Sequence, residues 1–158
     1  MKNFFSARLI KAGLIVGTLD ILGACTYYYI KTGKNPLTIL KFVASGVFGK
    51  TAFESGNIML LWGLIFHFFI AFSFTIFFFW IFSKIPALSK NRILTGIVYG
   101  IFIWTVMQFL VVPLSKTAKS PFNLTNAIIG ASILIVCIGI PLSLMAKNAT
   151  VNNPSRYP

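Results

Sequence analysis

Asp20, Glu54 and His67 are the only side chains in the 158-residue chain suited to acid–base work near neutral pH. Asp20 lies in Gly17-Thr18-Leu19-Asp20-Ile21, and His67 lies in His67-Phe68-Phe69-Ile70-Ala71. Both runs are largely apolar. A carboxylate beside an imidazole makes a protonatable pair, since each charged form favours the other. Gln108 is a third polar side chain in an apolar run, and the three are expected to form an intramembrane polar site. Two roles fit such a site. One couples proton binding to transport or gating; the other is a structural clasp that fixes helix packing. A partner subunit could also supply the group that answers Asp20. One His and one Asp are too few for a metal site, so neither metal nor cofactor is expected. Ser115 and Ser143 have no base at a recognisable spacing, so no catalytic residue is assigned and the expected protein is not an enzyme. Cys25 and Cys137 show no disulfide or metal-pair spacing. Glu54 stands in the polar stretch Gly49-Lys50-Thr51-Ala52-Phe53-Glu54-Ser55-Gly56-Asn57. It is read either as an acid at the outer mouth of a bundle or as the i, i+4 partner of Lys50.

The elements that must position these residues follow from composition. The chain is 57% apolar, with 14 Lys or Arg against 2 acids and a net charge of +12. Average globular chains are about 45–50% apolar and about one-quarter charged. The mean hydropathy of +0.86 excludes disorder and a basic nucleic-acid-binding domain, whose cations would sit on a polar surface. Four apolar segments, at about 9–30, 58–82, 93–114 and 127–145, each approach the ~20 residues that carry a helix across a bilayer. Strand-like alternation is absent from them, and lipid permits helices or closed barrels alone. The expected fold is all-α: a four-helix transmembrane bundle over 1–147 with a polar tail at 148–158. Between the first two spans, Asn35 and Pro36 suit a helix start. Thr38, Lys41 and Ser45 then make a polar stripe, so an interfacial amphipathic helix is expected at about 36–48. It reads as a lid, a lipid sensor or a connector over the mouth of the bundle.

Four spans place both termini on one side. That side carries Lys2, Arg8, Lys11, Lys84, Lys90, Arg92, Lys147 and Arg156, whereas the other carries Lys31, Lys34, Lys41, Lys50, Lys116 and Lys119. The positive-inside rule then favours cytoplasmic termini, and the basic residues at both faces suit anionic lipid head groups. At ~1.5 Å rise per residue Asp20 falls near the midplane, with His67 about 5 Å and Gln108 about 8 Å towards the far side. Gly13, Gly17 and Asp20 share a face, and Gly96 and Gly100 make another small-residue face. Both are suited to close helix packing.

Three further patterns bear on identity. Leu22-Gly23-Ala24-Cys25 imitates a lipoprotein cleavage site, but Asp20 interrupts its apolar run, so an uncleaved first span is expected. Pro113-Leu114-Ser115-Lys116-Thr117-Ala118-Lys119 matches Pro141-Leu142-Ser143-Leu144-Met145-Ala146-Lys147 at five of seven positions, which reads as coincidence more readily than as an inverted repeat. Finally, the runs around Asp20 and His67, Val43-Ala44-Ser45-Gly46-Val47-Phe48-Gly49 and Val111-Val112-Pro113-Leu114-Ser115 resemble a family of uncharacterised bacterial multi-pass membrane proteins. Their layout is distantly similar to YagU-like membrane proteins. The resemblance implies a helical inner-membrane protein and carries over no catalytic residue. The expected function is that of a non-enzymatic integral membrane protein, acting as a homo-oligomer or as a small subunit of a complex. The alternative is a small proton-coupled transporter or channel using Asp20 and His67.

Overall fold

The computed structural model describes residues 2–118, 121 and 123–150, with side chains described within 7–146. The described residues contain helices and no strand. Helix α1 is Lys2–Thr32, α2 is Thr38–Phe48 and α3 is Ile58–Lys84. Helix α4 is Arg92–Leu114, and α5 spans Leu124–Ala146 and runs on to Thr150. Four of these, α1 from Ala7 and α3, α4 and α5, are long and apolar enough to cross a membrane. The four-helix arrangement read from the sequence is therefore present, with the shorter α2 between the first two spans. The stretch read as a polar tail begins inside α5, and its part beyond Thr150 lies outside the described residues.

Local chemistry sets the helix ends. Gly33, at φ 65°, closes α1 by donating its N–H to Tyr29 O at 2.8 Å. Asn91 and Asn123 cap α4 and α5, their side-chain oxygens accepting the N–H groups of Leu94 and Asn126. Asn35 accepts the N–H of Leu37 at 3.0 Å, so it turns the chain just ahead of α2.

Both α4 and α5 widen into one π-helical turn, Met107–Val111 and Ile135–Gly139. Each turn lies just ahead of a proline, Pro113 or Pro141. A proline has no N–H for the carbonyl four residues back, so the ladder slips by one residue instead of closing. The seven-residue sequence match thus coincides with a structural one. Ser115 and Ser143 even return their hydroxyls to the carbonyls three residues back, Val112 and Ile140, both at 2.8 Å.

Glycines decide how closely the spans approach. A Cβ on Gly139 would strike the Gly96 carbonyl, and one on Gly100 would sit 2.5 Å from Ile135 Cα. Helices α4 and α5 therefore meet backbone to backbone. Gly13 and Gly17 receive the Phe72 and Phe68 rings of α3. Both small-residue faces are thus occupied within one chain. Large apolar side chains such as Leu22, Phe69, Phe109 and Val136 point outwards, as lipid requires.

The core fills one half of the bundle, the half nearer the start of α1. Val16, Phe78, Ile103 and Leu142 are fully buried there among Phe79, Phe82 and Tyr99. The Tyr99 hydroxyl donates to Phe74 O at 2.6 Å. The other half is hollow.

Candidate functional site

Helix α2 roofs the hollow half. It lies across α3 where Gly63 has no side chain; a Cβ there would collide with the Leu40 carbonyl. Phe48 packs on Trp62 and Phe66 with ring centroids 5.8 and 5.9 Å apart. Its other edge is held to the turn after α4. Lys116 N–H donates to Gly46 O at 2.9 Å, and the Ser45 and Thr117 hydroxyls meet at 3.3 Å. Ser45 is buried, as is Leu40, so the polar stripe expected to face an interface instead turns partly inwards.

Beneath α2 lies a cavity of about 240 Å³. Asp20 of α1 and His67 of α3 both line it, with Phe66, Ile70, Phe74, Met107 and Ile138 around them and Phe42, Val43 and Val47 above. His67 is buried, and its Nε2–H donates to Gly17 O at 2.8 Å. A carbonyl can only accept, so that bond fixes the proton on Nε2 and leaves Nδ1 to accept or to take a second proton. Asp20 is half-buried and stands one turn beyond Gly17 on the same helix. No ion pair or hydrogen bond joins Asp20 to His67 among the described residues, although the two interact electrostatically. Cys137 of α5 is near enough to Asp20 to interact with it as well.

No protein-family model, curated protein or solved structure matches the chain. Its chemistry must therefore be read from the site.

Gln108 is not in the Asp20–His67 cavity. It lines a second one of about 390 Å³ with Trp104, Asn123 and Asn126. Phe42 and Val112 line both cavities and form the wall between them. The expected convergence of three polar groups thus resolves into a pair and a neighbour. Asn126 also accepts from the Tyr27 hydroxyl at 3.0 Å and from Lys31 Nζ at 2.6 Å, which ties α1 to α5 at this end. Glu54 is exposed at the end of the helical turn Thr51–Glu54, away from both cavities, and no ion pair to Lys50 is seen among the described residues. Gly96 and Gly100 serve the α4–α5 contact and line neither cavity. The sequence reading missed Phe42 and the Ser45–Thr117 contact. Their signal was the apolar character of a segment too greasy for a solvated loop.

Proposed function

We propose that the chain is a small proton-coupled transporter or channel in which Asp20 and His67 form the protonatable site. The observation that carries this reading is their shared cavity, roofed by α2 and closed beneath by the aromatic core. An unpaired carboxylate at this depth is costly, by about 2.5–3.5 kcal/mol on insertion scales, and such residues tend to mark ion pathways. His67 uses one ring nitrogen on Gly17 O and keeps the other uncommitted, so a proton can be taken up there without disturbing the bond to Gly17. A purely structural clasp would pair Asp20 directly, and no such bond is seen among the described residues.

The protein is non-enzymatic and binds neither metal nor nucleic acid on this proposal. It resides in a bacterial inner membrane with cytoplasmic termini and anionic lipids around it, as the basic residues and the resemblance to YagU-like proteins suggest. Assembly into a homo-oligomer or a larger complex is the second reading. Gly13, Gly17, Gly96 and Gly100 are used in contacts within the chain, so these small-residue faces lend it no support. Proteoliposomes holding a pH-sensitive dye and subjected to a potassium diffusion potential provide the test. The natural protein should carry protons in a pH-dependent manner, and Asp20→Asn should reduce that flux to the level of protein-free vesicles. An unchanged flux in the variant would sink the role of Asp20.

A further inference from the structure

We infer that the Asp20–His67 cavity binds a small lipophilic cation, an amine whose ammonium group meets Asp20 and whose apolar body lies among Phe42, Phe66, Phe74 and Met107. This names a ligand class for the site proposed above and rests on reading Asp20 and His67 as one working site.

Charge comes first. The Asp20 carboxyl has no hydrogen-bond or ion-pair partner among the described residues, and the Nε2–H of His67 is committed to Gly17 O at 2.8 Å. A carboxylate in such a setting must gain a proton, a water shell or a cation. The cavity wall is mainly hydrocarbon and aromatic, so it holds few groups with which water could complete a shell. A cation carrying its own apolar body satisfies the carboxylate and the wall together. Aromatic faces add to this, since cations are attracted to the faces of phenyl rings. The same wall argues against sugars, which need many hydrogen-bonding partners, and Asp20 repels anions. The volume of about 240 Å³ lies below the roughly 300–1,000 Å³ of drug-sized sites, so the ligand is small. Protons and the ammonium compete for one carboxylate, with His67 and Cys137 the other titratable groups beside it. That competition is what would couple the two.

The test is equilibrium binding, which requires no flux. Radiolabelled N,N-dimethylphenethylamine is titrated against the protein in nanodiscs, with empty nanodiscs subtracted. Its uncharged isostere, isopentylbenzene, serves as the competitor. The expected result is saturable amine binding that isopentylbenzene displaces poorly. Asp20→Asn should weaken it by roughly thirtyfold or more, the usual loss when one member of a buried charge pair is removed. Phe69→Ala, on a lipid-facing side chain that is 71% exposed, should leave it unchanged. If Asp20→Asn fails to fold, Val43→Trp decides: it enlarges a half-buried side chain on the cavity roof, leaves Asp20 intact and should abolish binding. Absence of saturable binding, equal affinity for amine and isostere, or full binding in Val43→Trp would each overturn the inference. Asp20-dependent binding without proton flux supports the ligand class and overturns the coupling. Proton flux without amine binding overturns the ligand class and leaves the proton-transport reading standing.

Discussion

At the residue scale, glycine and serine do more to shape this site than the acids do. Gly63 lets α2 rest its backbone on α3, and a Cβ there would meet the Leu40 carbonyl, which belongs to a rigid helix. At Gly46 the nearest atoms to such a Cβ are side-chain atoms of Ser115 and Thr117, both at 3.7 Å, an ordinary contact. The two positions therefore separate steric from conformational effects on the same roof. Gly63→Ala should destabilise the protein by about 1–3 kcal/mol, the range for overpacking a filled contact. Gly46→Ala, inside a helix, should be neutral or slightly stabilising through its better helix propensity. Thermal unfolding in one detergent reads both. Equal midpoints for the two variants would mean that α2 does not lie on Gly63. Gly13 and Gly17 were legible in sequence as a packing face because a small-xxx-small spacing has a direct steric meaning. Gly63 was legible as one member of a small or polar stripe with His67, Ala71 and Thr75, but not as the seat of α2, since its partner is a backbone atom brought in from another helix.

At the element scale, the four spans were readable because length and hydropathy are decided locally. The position of α2 was not. Thr38, Lys41 and Ser45 looked like an outward stripe, but a serine hydroxyl can satisfy itself on its own helix, and Ser45 Oγ donates to Phe42 O at 2.6 Å. Burying it is therefore cheap, and the contact with Thr117 follows. Gln108 was misplaced for a related reason. A rise of ~1.5 Å per residue assumes a regular α-helix, whereas Gln108 sits in the π-turn Met107–Val111 and Phe42 enters between it and Asp20. The prolines signalled an irregularity without saying which way it would turn the side chains. The latch itself can be checked by covalent capture. In a chain with Cys25 and Cys137 replaced by Ala, Ser45→Cys together with Thr117→Cys should form a disulfide under mild oxidation, because their hydroxyls are 3.3 Å apart. The cross-link should protect both thiols from a maleimide until a reductant is added. Full maleimide labelling of the oxidised double variant would place α2 away from the turn after α4.

On the scale of the whole molecule, the bundle is solid at one end and hollow at the other. Val16, Phe78, Ile103 and Leu142 exclude solvent from the half nearer the start of α1, while the cavity runs from Asp20 and Ile138 up to Ser115 and Thr117. Aromatic and basic anchors mark the two faces. Lys31 lies 5.7 Å from the Tyr27 ring centroid at the hollow end, and Lys84 lies 5.0 Å from that of Trp80 at the solid end. In the conformation seen here the aromatic core closes the cavity towards the start of α1, and Ser115 and Thr117 line its other end. A transport cycle would have to open that aromatic packing, or stop at binding. Access should accordingly be one-sided. Val43→Cys, placed on the cavity wall in the chain lacking native cysteines, should react with a membrane-impermeant maleimide added on the side opposite an N-terminal tag. The same reagent on the tag side should label it slowly or not at all. Bound amine should slow the reaction from the open side, since it occupies the volume that the reagent must cross. Equal labelling from both sides would mean that the aromatic half is no barrier, and the cavity would then be a section of a continuous pore.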